Sequence, residues 1–188
     1  MNDEASDLLD EHLAKARLGD RSALAALVRA HQGSVYSLAL RMLGARDLAE
    51  DLTQEVFMQL SSNLKSIESS RHLIFWLRQV TSNRAIDQLR RRARFTFTPL
   101  DDEMQLFSEQ QDTDPLLQRQ IRTMLAELSA PARAVLLLRF QDDLDPTEIA
   151  ETLNMPLNTV KSHLKRSLDT LRVKATAAGP LRLEGNSP

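Results

Sequence analysis

The stretch that most constrains the fold is Asp145 to Leu171, reading DPTEIAETLNMPLNTVKSHLKRSLDTL. Pro146 suits a first helical position, where its missing N–H costs nothing. Ile149, Ala150 and Leu153 then share one face of a short helix. Asn154 tolerates the left-handed conformation that ends a helix, and Pro156 prevents the helix from running on. Asn158 is the expected N-cap of a second helix. There Val160, Leu164, Leu168 and Leu171 form one apolar stripe, with Ser162, Lys165 and Arg166 away from it and Lys161 and Arg172 on its flank. A short turned helix followed by one that packs by one side and offers cations on the other fits a helix-turn-helix, whose second helix enters the DNA major groove. An ordinary helical hairpin with a solvated basic face fits the same residues.

Net charge is −2, so binding to nucleic acid must come from local segregation of charge. The 188 residues give room for one or two small domains, and 42% apolar with 27% charged residues is a soluble globular composition. The absence of cysteine excludes a disulfide framework, a thiol nucleophile and thiolate metal sites, and fits a reducing compartment. No apolar run approaches the ~20 residues of a membrane span. The first residues, MNDEASDLLDEH, are acidic and unlike a signal peptide. The expected location is the cytoplasm, without membrane insertion. Only 5 glycines and repeated 3.6-period stripes predict an all-α chain.

Taken in order, Asp7 to Leu18 is an amphipathic helix broken at Gly19-Asp20, and Ser22 to Leu43 is a longer one closed by Gly44. Asp47 with Glu50 three residues on resembles a capping box opening a third helix. That helix, Leu48 to Leu60, has Leu48, Leu52, Val56 and Leu60 as its core stripe. Asp51, Gln54 and Met58 project elsewhere, with Glu55 and Phe57 at the margins: a protein-contact face or a solvated surface. Leu64 to Arg71 is Ser-rich and expected as loop. His72 to Arg92 is a fourth helix, with Leu73, Trp76, Leu77 and Val80 inward and Phe75 off the stripe. Its end carries Arg84, Arg90, Arg91, Arg92 and Arg94 against one Asp87. That exceeds what a helix C-terminus requires and favours phosphate contact.

Between Phe95 and Asp114 periodicity vanishes; six acidic residues and a proline, with no Lys or Arg, predict an acidic flexible linker. Pro115 to Leu128 and Ala132 to Gln141 are helical again, and the second is very apolar (AVLLLRF). The expected architecture is therefore two small helical domains, residues 1–94 and 115–175, joined by the linker 95–114 and followed by a disordered tail, 176–188. The second domain ends in the helix-turn-helix.

Three segments, AEDLTQEVFMQL, FWLRQVTSNRAIDQLRRR and LSAPARAVLLLRFQDDLDPTEIAETLNMPLNTVKSHLKRSLDTLR, together resemble the extracytoplasmic-function group of bacterial RNA polymerase sigma factors. The resemblance implies a promoter-melting domain (sigma region 2) and a domain reading the −35 element (sigma region 4). It assigns Asp51, Gln54, Glu55, Phe57 and Met58 to the coiled coil of the polymerase largest subunit. It assigns Leu64, Lys65, Ser66, Ile67 and Arg71 to capture of a flipped −10 base, with Asn83, Arg84, Arg90 and Arg91 along the same DNA. Asn158, Thr159, Lys161, Ser162, Lys165 and Arg166 match positions at the −35 element, where Lys165 and Arg166 suit guanine O6 and N7. The partners it implies are core RNA polymerase, promoter DNA and an anti-sigma protein. The chain departs from the common pattern at Ile67, where many relatives carry an aromatic, and at His163 and Lys165.

The competing reading is a stand-alone helix-turn-helix regulator with an N-terminal dimerisation or sensing bundle, which has no need for the AEDLTQEVF face. An enzyme finds little support. His12, His31, His72 and His163 are scattered, with no HExxH, phosphate-cradling Gly loop or catalytic pair, and no cofactor or metal is expected.

Overall fold

The computed structural model describes residues 3–95 and 115–177. The linker interior and the tail lie outside them. The described residues form α1 (Asp3–Arg17), α2 (Arg21–Leu43), α3 (Arg46–Asn63), a 3₁₀ turn (Leu64–Ser66), α4 (Ser70–Phe95), α5 (Pro115–Ala126), α6 (Ala130–Phe140), α7 (Pro146–Leu153) and α8 (Leu157–Ala177), with no strand among them.

Local sequence sets most helix ends. The Asp20 carboxylate accepts from the backbone N–H groups of Ser22 and Ala23 and caps α2. Gly44 closes it at φ 75°, its N–H donating to the Leu40 carbonyl. Two caps differ from expectation. Helix α3 starts at Arg46, so Asp47 lies in its first turn and acts on the dipole from there; Ala45 stands at the cap and makes no side-chain bond. Helix α8 starts at Leu157, so Asn158 is a first-turn residue and not the N-cap; the N–H of Thr159 bonds the Pro156 carbonyl. In each case the helix propagates further toward its N-terminus than the side-chain signal marks.

The first bundle packs α1 to α4 around Leu13, Leu27, Met42, Val56, Leu60, Ile67 and Leu73, all essentially without solvent contact. Of the α3 stripe, Leu52, Val56 and Leu60 are buried and Leu48 is partly buried. Trp76 packs against this core, as its place on the stripe predicts.

The second bundle centres on α6, where every residue from Ala132 to Leu138 is buried. A helix buried all round needs neighbours on every side. Helix α6 packs against α7 and α8 of its own bundle and against α2 and α4 of the other. The two domains are therefore docked on each other. Arg78 on α4 pairs with Asp142 at 3.6 Å, and Gln141 Nε2 donates to Ser37 Oγ at 3.3 Å. Arg133 on α6 donates from Nε to Leu125 O (2.8 Å), from Nη2 to Ala126 O (2.8 Å), and from Nη1 to Met42 O on α2. One buried guanidinium thus satisfies carbonyls at the ends of two helices in different bundles.

Between the bundles lies a cleft of about 990 Å³, bordered by His31, Arg71, Phe75, Arg78 and Asp142 among others. His31 is 9% exposed, and burial holds its pKa below the ordinary 6.5. Burial pushes the Asp142 carboxyl upward, opposed by the charge of Arg78. The His31 shift fixes a sign. As pH falls through 6.5 the unfolded chain takes up a proton at this site and the folded chain does not. Stability is then lost until the lowered folded pKa is reached. The Asp142 shift acts in the opposite direction, adding stability as pH falls through its raised pKa toward 3.8. The melting temperature of the native chain should therefore fall more steeply just below pH 6.5 than that of His31→Gln, each kcal/mol lost lowering it by about 2–4 °C. Parallel melting profiles would show that His31 titrates normally in the fold.

Candidate functional site

The helix-turn-helix is built as its residues dictate. Asp145 caps α7, accepting from Thr147 N at 2.7 Å and Glu148 N at 2.9 Å, while Glu148 Oε2 accepts from Asp145 N at 2.8 Å. This reciprocal box fixes the entry to α7. Asn154 ends it at φ 50°, ψ 50°, the left-handed geometry an asparagine tolerates. Ile149, Leu153 and Val160 anchor both helices in the core. Opposite them, Asn158, Lys161, Ser162, Lys165 and Arg166 are exposed and Thr159 is half-buried. Lys161, Ser162, Lys165 and Arg166 recur at one-turn spacing, so they form a single basic face. Ser167, one residue beyond, is buried.

On α3, Asp51, Gln54, Glu55 and Met58 are exposed, Met58 at 64%, and Phe57 is half-buried. Val28, Gln32, Gly33 and Tyr36 of α2 join Gln54, Phe57 and Met58 around an open, mainly apolar groove. A large exposed thioether beside carboxylates and an apolar trough has the make-up of a protein-contact surface.

The segment between α3 and α4 departs from expectation. Leu64 (7% exposed) and Ile67 (0%) are core residues, so neither is a DNA contact as the chain is folded here. A short segment with two apolar side chains gains more from burying them in the adjacent core than from exposing them. Lys65, Ser66 and Arg71 are exposed and Asn83 is half-buried. Ser69 Oγ accepts from His72 N at 3.2 Å and so caps α4, which begins two residues before the expected His72.

The arginines of α4 are not equivalent. Arg84 bonds Glu55 at 2.6 Å and Gln59 Oε1 at 3.0 and 2.7 Å, tying the expected DNA-contacting helix to the expected polymerase face. Arg90 pairs loosely with Asp87 at 3.8 Å, and Arg91 is exposed.

Periodicity missed Arg133, Asp142, His31 and the polar residues of α1. The available signal was Arg133 itself, a charge set directly before the apolar run AVLLLRF in the first turns of a helix that is otherwise apolar. Among the described residues no group of three or more His, Asp or Glu has metal-site geometry, and no helix is long and apolar enough to cross a membrane.

Comparison with known proteins agrees with the two-bundle helical fold. Residues 27–95 match the family model Sigma-70 region 2, and residues 118–171 match Sigma-70, region 4. The chain is similar to the ECF RNA polymerase sigma factor SigW of Bacillus subtilis (27% identical over 178 residues, covering 88% of this chain and 95% of that one). It is also similar to the ECF RNA polymerase sigma factor SigL of Mycobacterium tuberculosis (32% over 173 residues, 87% and 97%). The fold matches that of the sigma factor RpoE from Bartonella quintana, solved in complex with the anti-sigma factor NepR, with a TM-score of 0.61 at 23% identity over 77% of this chain and 91% of that one. With two sigma-70 regions in order and full-length similarity to relatives of one kind, this chain belongs to the extracytoplasmic-function RNA polymerase sigma factors.

Proposed function

We propose that this sigma factor, which directs polymerase to promoters, divides the task among three surfaces. The α3 face with Asp51, Gln54, Glu55, Phe57 and Met58 holds the coiled coil of the polymerase largest subunit. Lys65, Ser66, Arg71 and Asn83, with Arg84, Arg90 and Arg91, meet the melted −10 strand. Lys161, Ser162, Lys165 and Arg166, with Asn158 and Thr159 at the helix start, read the −35 element. The observation that carries this reading is the basic face of α8: four polar side chains exposed together on a helix whose opposite side is locked in the core. The chain supplies no catalytic group; polymerase performs the chemistry, in the cytoplasm.

Engaging both elements requires the docked domains to separate. The −35 and −10 elements lie about 25 base pairs apart, roughly 85 Å along the duplex. The docked bundles share one interface, and α6 and α7 pack on α4 beside Arg71 and Phe75. The residues between Phe95 and Pro115 can reach roughly 65 Å when extended, enough with the bundles' own dimensions to span the gap. An anti-sigma protein is the further partner, and the apolar α2–α3 groove is the surface it would cover; the similar RpoE was solved in complex with the anti-sigma factor NepR.

The test is a pull-down with purified bacterial core polymerase followed by run-off transcription on a pooled promoter library. Stable binding with new sequence-specific starts is expected. Tight duplex binding by the chain alone, without core binding, would favour the stand-alone regulator. Asp51→Lys with Gln54→Ala should weaken core binding by about tenfold or more, since contact hot spots carry ~1–2 kcal/mol or more each. Duplex binding through α8 should survive that change.

A further inference from the structure

Helix α1 lies outside the matched sigma regions, which begin at residue 27, yet it is tied to the segment that leads into α4. Leu13 and Ala16 are buried, and Leu9 packs on the core. On the same side of the helix, Asp10 and Arg17 stand seven residues apart, two turns or about 10 Å along the axis. Each reaches across to backbone. Arg17 Nε donates to Leu64 O at 3.3 Å, and Asp10 Oδ1 accepts from Ser70 N at 2.5 Å. These two bonds clamp the two ends of the 64–70 segment. The second is charge-assisted and falls on the first residue of α4, where a helix leaves N–H donors unsatisfied and favours negative charge. Ile67, fully buried, pins the middle. Between the three fixed points Lys65, Ser66 and Glu68 face solvent.

We propose that Asp10 and Arg17 are positioning residues for base selection at the −10 element. They hold the 64–70 backbone in the shape that presents Lys65 and Ser66 to an extruded base, a single-stranded nucleobase being the ligand. The inference rests on the reading of this segment as the −10 contact. A loop fixed at both ends and its centre cannot remodel itself around a wrong base, and rigidity of that kind converts a preference into discrimination. Helix α1 is then a brace for specificity and touches neither polymerase nor DNA.

The test uses the full chain reconstituted with core polymerase, in run-off transcription on promoters that share one −35 element and differ by single substitutions in the −10 element. For Asp10→Ala with Arg17→Ala, the ratio of output between preferred and substituted −10 elements should shrink by about tenfold, the value of one charge-assisted bond. Core affinity and −35 dependence should not change. Asp10→Asn, which keeps the acceptor oxygen, and Arg17→Lys, which keeps a donor, should restore most of the ratio. Amide exchange across residues 64–70 should quicken in Asp10→Ala even if the double variant folds poorly. A uniform fall in output on every promoter, with the ratio intact, would overturn the proposal and leave α1 a stabilising element. Lys65→Ala with Ser66→Ala separates the two ideas. If that variant alters −10 preference and the α1 variants do not, the positioning role fails alone. If neither alters it, the segment is not the −10 reader and both readings fail.

Discussion

Replacing Arg133 by alanine should cost about 3–5 kcal/mol of stability, the range of losses seen when a buried hydrogen-bonded network is broken. Arg133 is 8% exposed, and burial lowers its pKa while leaving it charged. Its removal takes the side-chain donor from the carbonyls of Ala126 at the end of α5 and Met42 at the end of α2, and leaves Leu125 O with only the Leu128 N–H at 3.2 Å. It also removes the apolar stem of a buried side chain. Arg133→Met restores much of the volume and none of the donors, so it should recover only the packing part. Arg133→Lys offers one cation where three carbonyls converge and should fall between the two. Because Arg133's bond to Met42 crosses between bundles, beside Arg78–Asp142 and Gln141–Ser37, loss of Arg133 should also weaken their coupling. Urea unfolding followed by circular dichroism should resolve two transitions where the native chain shows one. A single transition within ~0.5 kcal/mol of the native chain would mean that water serves these carbonyls equally well and that the guanidinium ties nothing together.

Arg166→Glu should reduce transcription from a −35-dependent promoter by about a hundredfold while leaving core polymerase binding intact. The side chain is exposed on the basic face of α8, and the proposed role is a bidentate contact to guanine, worth ~1–3 kcal/mol. Reversing the charge adds repulsion from the phosphates beside it, and the two together reach the hundredfold range, ~2.7 kcal/mol. Arg166→Ala should lose the contact without the repulsion, and should relax base preference at one position of the element. A phosphate-only role predicts another pattern: uniform weakening across sequences and a salt dependence reduced by about one counterion. Equal damage to core binding by Arg166→Glu and by the paired Asp51 and Gln54 changes would abolish the division of labour between the domains.

Much of the fold was legible because its signals are local. Gly44 and Asn154 each act on backbone groups within a few residues, and each stands where its chemistry places it. The apolar stripes of α3 and α8 identify their buried sides for the same reason. Legibility weakened where two local signals competed. Asp47 and Asn158 are good caps, but helical propagation carried the boundary past both. It failed where burial was decided by distant neighbours. Leu64 and Ile67 sit in a Ser-rich segment with no periodicity to reveal an inward side, and only the proximity of α1 and the first-bundle core draws them in.

The sequence by itself determined an all-helical chain, its two bundles, the helix-turn-helix and the exposed basic face of α8, since each follows from spacing within one element and from short-range capping. Only the tertiary structure decided which polar residues act across elements: Asp10 and Arg17 on the 64–70 backbone, Arg84 on Glu55 and Gln59, Arg78 on Asp142, and Arg133 on Met42. These partners are separated by 25 residues or more along the chain. No period or cap links such pairs, because their energies depend on where whole helices come to rest, and the packing of complete apolar faces settles that.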